Sequence, residues 1–247
     1  MLNSTTLERL EALRLKGMAD YLRRWLADPG QQRLAPLELA GLMADAEWLQ
    51  RENARLTSRL RRARLKHAAT LEDIDYTGPR GFARDAIHQL QSSVWIQQNQ
   101  NLIVTGPTGV GKSYLACAFG QKACRDGFTV AYHRVSRLLE QAAQARADGS
   151  LPDFYRRLAK TRLLVLDDFG LEVLSAHDRK VLLEILEDRY GSGSTIVTSQ
   201  LDVENWHATI GDPTIADAVL DRLVHNAHRI KLSGPSLRKT KNGLPNS

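Results

Sequence analysis

The sequence predicts an α/β fold: a parallel sheet with crossover helices, preceded by a small all-helical N-terminal domain. Two observations predict it. Four short continuous runs, at 102–104, 128–132, 163–166 and 195–198, are largely aliphatic or β-branched, the composition of strands buried on both faces. Longer segments with helical character separate them, which is the alternation of strand and crossover helix. The expected division is 1–70 for the helical domain and 71–247 for the α/β domain, and 247 residues suffice for both.

The first helix is expected over 1–28. Thr5-Thr6-Leu7-Glu8 fits a capping box, Leu15, Met18, Leu22 and Trp25 recur at helical spacing, and Asp28-Pro29-Gly30 stops the run. A second helix is expected from Pro36 to about His67, with Leu39, Leu42, Met43, Ala46 and Leu49 as its apolar stripe. Its second half is strongly basic, with Glu52 as the local acid. Arg51, Arg55, Arg59, Arg62 and Lys66 follow one another at steps of four and three and so share one helical face. Such a face is either solvated or a contact for nucleic acid or a partner. Residues 71–100 form a junction, with a turn cluster at Thr77-Gly78-Pro79-Arg80-Gly81 and a helical stretch to about Trp95. Helices are then expected over 113–126, 136–148 and 176–190.

The sharpest chemical signal is Gly106-Pro107-Thr108-Gly109-Val110-Gly111-Lys112-Ser113, a complete G-x-x-x-x-G-K-[ST] between a strand and a helix. Its glycines let backbone amides turn toward phosphate oxygens, and the helix N-terminus adds partial positive charge. Lys112 is expected at the β- and γ-phosphates and Ser113 on magnesium. The run 163–166 ends in Asp167-Asp168. Asp167 suits magnesium, and Asp168 suits the attacking water, which points to ATP hydrolysis. The run 195–198 ends in Ser199-Gln200, placed where strand C-termini gather, so either side chain is a candidate γ-phosphate sensor. Tyr76 and Phe82 are candidates for bordering the adenine, or for simple packing.

These residues together resemble the insertion-sequence transposition helper ATPases of the IstB type, which are AAA+ proteins related to the DnaC helicase loaders. The resemblance covers nearly the whole chain. It includes Leu-Asp-Asp-Phe-Gly at 166–170, the segment from Ser194 to Arg222, and Gly234-Pro235-Ser236-Leu237-Arg238. It implies an AAA+ P-loop ATPase domain and an arginine finger at Arg222 that acts in a neighbouring subunit. It further implies a second sensor arginine at Arg238 and a subunit-boundary contact at Arg189. The implied partners are duplex DNA, the element's transposase and further copies of the chain. A replicative helicase loader acting on single-stranded DNA and a nucleotide-gated scaffold without turnover remain open at this point.

Composition excludes other classes. The 43% hydrophobic and 25% charged residues are the balance of a globular chain, and the net charge of +6 favours polyanionic partners. No apolar run reaches the roughly 18 residues of a membrane span. Cys117 and Cys124 lie about 10 Å apart along one expected helix, too far for a disulfide. No metal-ligand spacing accompanies them, and a reducing cytoplasm is expected. His133, His177, His207, His225 and His228 are read as packing or solvated residues, and Trp206 as a core or interface residue rather than a base-stacking platform.

Overall fold

A computed structural model describes residues 2–28, 34–74 and 84–236. The expectations for Tyr76, Phe82, Arg238 and the 77–81 turn cluster fall outside these residues. The chain divides into two compact units, Met1–Ser58 and Arg59–Ser247. Residues 59–70, assigned from sequence to the helical domain, therefore cluster with the second unit.

In the first unit the single helix expected over 1–28 is two helices, α1 (Leu2–Ala12) and α2 (Lys16–Ala27). The break is made by Arg14, which takes a left-handed φ of +60°. Leu15 N–H then reaches back to Leu10 O and Arg14 N–H to Glu11 O, closing α1 as glycine usually does. Without a glycine at that position the stop was invisible. Thr5 lies inside α1, so the expected capping box does not form; an early start at Leu2 displaced it. The long helix α3 (Pro36–Ala63) begins as expected but ends before His67, at a left-handed Arg64 with φ +51°. Gly17 lets α2 approach α3 closely: a Cβ there would lie 2.5 Å from Ala46 O. Glu47 of α3 accepts from the Gly17 amide at 2.7 Å and so caps the start of α2.

The second unit is built on a five-stranded sheet in the order β2-β3-β4-β1-β5. The strands are β1 (Asn101–Thr105), β2 (Val130–Arg134), β3 (Leu163–Phe169), β4 (Ser194–Ser199) and β5 (Ala227–Lys231), and every pairing is parallel. β1 and β4 are buried along their whole length, with aliphatic centres at 102–104 and 196–197 and buried polar residues at their ends. The helices before and between them are α4 (Arg84–Gln91), α5 (Val94–Gln97), α6 (Lys112–Arg125), α7 (Val135–Ala147), α8 (Leu151–Ala159), α9 (Ala176–Glu187), α10 (Trp206–Ile210) and α11 (Pro213–Val224). Three of the expected helices are present as α6, α7 and α9. Strand β5 was not expected, because it is an edge strand whose alternation leaves only Ile230 buried. Cys117 and Cys124 are free and buried on α6, and Trp206 is fully buried against the Phe169 ring at 4.6 Å.

Candidate functional site: a P-loop at the strand C-termini

The loop between β1 and α6 turns on three glycines in the left-handed half of backbone space: Gly106, Gly109 and Gly111, at φ +144°, +86° and +105°. Two of them also abut the segment that follows β5. A Cβ on Gly106 would lie 2.2 Å from Leu232 O, and one on Gly109 would lie 2.1 Å from Ser236 Oγ. Val110 is buried and anchors the loop in the core. Lys112, also buried, donates from Nζ to Gly106 O at 2.7 Å and to Pro107 O at 2.8 Å. Its charge is thereby held at the mouth of the loop.

Asp167 is the fully buried centre of the site. It lies on β3, one strand removed from β1, and Thr198 of the intervening β4 bridges the gap. Ser113 Oγ donates to Asp167 Oδ1 at 2.7 Å and Thr198 Oγ1 to the same oxygen at 2.5 Å. The Tyr132 hydroxyl donates to Oδ2. Burial pushes the Asp167 carboxyl up, but hydrogen bonds from Thr198, Tyr132 and Ser113, with the Lys66 charge, outweigh it and hold the group below the usual carboxylate range. Burial, and then the Asp167 hydrogen bond, push the Tyr132 phenol up. An ionised carboxylate beside a serine hydroxyl at the edge of a P-loop is an oxygen donor set that suits magnesium.

Adjacent residues of a regular strand face opposite sides of a sheet. The β3–β4 register shifts between Leu166 and Phe169, and Asp168 takes φ +62°. Its amide donates to Thr198 Oγ1 at 3.1 Å. Its carboxylate is gripped by Arg134 at the end of β2, through Nε at 3.1 Å and Nη2 at 2.9 Å. That contact raises the Arg134 guanidinium further above its ordinary range.

Of the two sensor candidates, Gln200 meets the loop: Thr108 Oγ1 donates to its Oε1 at 2.6 Å. Ser199 is buried and turned away, donating to Phe169 O at 2.8 Å. Arg222 lies far from this loop, where the strands begin. Asn101, the first residue of β1, donates to Arg222 O at 2.9 Å. The Arg222 guanidinium pairs with Glu187 at 2.9 Å and Asp221 at 2.6 Å, over the Tyr190 ring. Arg189 cannot reach across a subunit boundary as expected. It is buried, donating to Leu158 O, Thr161 O and Ser194 O at 2.6 Å each, and burial lowers its guanidinium to about 10.

The basic stripe is less uniform than its spacing suggests. Arg51 pairs with Glu47 at 2.7 Å and Arg55 with Glu52 at 2.5 Å, so acids do interrupt it. Arg59 donates to Cys124 O at 2.8 Å, while Arg62 is exposed in the last turn of α3. Lys66 stands beyond the helix, 3.7 Å from Asp167. Tyr132, Thr198, Arg134 and Lys66 all escaped sequence reasoning as site residues around the two aspartates. Strand neighbours and a chain reversal bring them there, and no local motif marks them.

The family model for IstB-like ATP binding proteins matches residues 8–244. The chain belongs to the IstB-like family. An insertion sequence ATP-binding protein of Sinorhizobium fredii is 50% identical over 241 residues, 98% of each chain. One from Pseudomonas fluorescens is 45% identical over 202 residues, 81% of this chain and 87% of that one. Solved structures share the fold of this IstB-like protein. DnaI superposes with a TM-score of 0.58 at 22% identity, over 71% of this chain and 93% of that one. The DnaC helicase loader gives 0.53 at 20% identity, over 64% and 94%. The α/β unit thus has the fold of these two proteins, with its P-loop at the C-terminal edge of the sheet. Among the described residues no helix is long and apolar enough to cross a membrane.

Proposed function

We propose that this IstB-like chain is a magnesium-dependent ATPase that assembles with further copies of itself on duplex DNA and assists a transposase in target selection and insertion. The observation that carries the reading is Asp167, buried, ionised and hydrogen-bonded to the P-loop serine Ser113. The names of its relatives, insertion sequence ATP-binding proteins, support the nucleotide and the setting. In this reading the protein works in the cytoplasm, beside the DNA.

In this reading the loop amides and Lys112 bind the phosphates. Ser113 and Asp167 would hold magnesium, which would supply positive charge against the charge that develops on the phosphates. Asp168 accepts the proton of the attacking water, and Arg134 orients that carboxylate. Gln200, beside Thr108, stands where a terminal phosphate is sensed. Arg238 is proposed as the second sensor on the segment that follows Ser236. Arg222 serves the site of a neighbouring copy, since a full strand length, about 13 Å, separates it from its own loop. The exposed arginines of α3, with Arg62 foremost, contact DNA phosphates.

The test is binding of a labelled duplex with magnesium and a slow ATP analogue. Binding is expected to need the analogue, to fall steeply with salt and to depend little on sequence. Lys112→Ala is expected to lose nucleotide and duplex binding together. A clear preference for single strands over duplex would favour helicase loading and overturn this reading.

A further inference from the structure

Directly after α3 the chain turns at Arg64 and lies along α6. Leu65 rests on the bare backbone of Gly120, where a Cβ would come within 2.9 Å of Leu65 Cδ2. Burial pushes the Cys117 thiol up, against the opposing pull of the His67 and Lys66 backbone beside it. The His67 ring sits 6.3 Å from that of Tyr114, the neighbour of Ser113. This seat depends on small residues: glycine and cysteine, one turn apart on α6, leave the groove the segment fills.

The seat delivers Lys66 Nζ to 3.7 Å from Asp167 Oδ2, with the lysine side chain 30% accessible and the aspartate fully enclosed. The two carboxylate oxygens therefore keep different company. Oδ1 faces Ser113 and Thr198, and Oδ2 faces Tyr132 and Lys66.

We propose that Lys66 is a resident cation that opposes magnesium at Asp167 and so links magnesium loading to the seating of the 64–67 segment on α6. The inference rests on the assignment of Asp167 as a magnesium ligand. Two cations on one buried carboxylate repel each other, and the repulsion is weakly screened there. Linkage is reciprocal: a magnesium-loaded site loosens Lys66, and any event that withdraws Lys66 tightens magnesium. The segment continues directly from the C-terminus of α3, so a displacement of that helix end is transmitted to the carboxylate without touching the nucleotide.

Manganese, a paramagnetic substitute for magnesium, gives a readout independent of turnover. Its affinity is measured by electron paramagnetic resonance in the presence of a slow ATP analogue, for the wild type, Lys66→Met and Lys66→Arg. Lys66→Met is expected to bind manganese about three- to tenfold tighter, and Lys66→Arg to stay within about twofold of the wild type. In the wild type, hydrogen exchange at the 66 and 67 amides is expected to quicken when magnesium and analogue are added. Unchanged or weaker manganese affinity in a folded Lys66→Met protein overturns the proposal, as does exchange that ignores the metal. Ser113→Ala separates the two assignments: it is expected to lose the manganese signal. If it keeps wild-type affinity, the P-loop assignment of the metal fails, whatever Lys66 does.

Discussion

Asp168 stands in a left-handed backbone conformation, φ +62°, that costs most residues free energy but is tolerated by aspartate and asparagine. Asp168→Asn therefore keeps the backbone of β3 while it removes the proton acceptor and the charge that Arg134 pairs with. Turnover is expected to fall by at least about a hundredfold in a phosphate-release assay, with nucleotide affinity within about threefold of the wild type. A fall of less than threefold would deny Asp168 the role of base. His133, on the neighbouring strand β2, supplies a pH dependence of stability. Burial, then the charges of Arg157 and Arg64, lower it from 6.5 to about 4. The folded chain thus favours the neutral ring, while the unfolded chain takes up its proton first as pH falls. This contribution is full above pH 6.5 and is lost progressively toward pH 4. The urea midpoint is expected to drop across that window, and to drop less steeply in His133→Gln.

Helix crossing in the N-terminal unit turns on one missing methyl group. A Cβ at Gly17 would meet Ala46 O at 2.5 Å and Glu47 Cα at 2.6 Å, both backbone atoms that cannot swing aside. Gly17→Ala is expected to destabilise that unit by about 1–3 kcal/mol, as overpacking does. Gly41, within α3, has nothing within 4 Å of its would-be Cβ. Gly41→Ala is expected to stabilise by about 0.5–1 kcal/mol, through helix propensity alone. Thermal or urea unfolding of the full chain compares the two, and equal effects would contradict this account of the crossing. The same element scale explains the helix boundaries. Arg14 and Arg64 end α1 and α3 in left-handed conformations that arginine seldom adopts, so neither stop carries a glycine or proline signature.

Across the whole α/β unit, the P-loop and Arg222 occupy opposite ends of the sheet, the loop where β1 finishes and the arginine where β1 begins. One chain cannot bring them together, so hydrolysis is expected to require a junction between copies. Arg222→Ala is expected to bind nucleotide as a monomer yet not to hydrolyse it. Mixing it with Lys112→Ala protein is expected to restore part of the activity, because a mixed junction pairs an intact loop with an intact arginine. No recovery in a demonstrated co-assembly would remove Arg222 from the reaction.

What the sequence determined by itself was whatever is contiguous in the chain. The P-loop, the Asp167-Asp168 pair, the buried strands and their crossover helices each announce themselves within a few residues, because strand burial and phosphate binding impose local patterns. Only the tertiary structure decided the rest. Thr198 reaches Asp167 because β4 lies between β1 and β3, an order no local pattern encodes. Arg134 meets Asp168 because parallel pairing aligns the ends of β2 and β3. Arg189 was expected at a surface and is instead buried, its charge spent on three backbone carbonyls. Lys66 continued the spacing of a basic helix face, yet the helix ended three residues earlier and the chain turned back. Spacing predicts which residues share a face only while the element lasts, and where an element stops is decided by the packing around it.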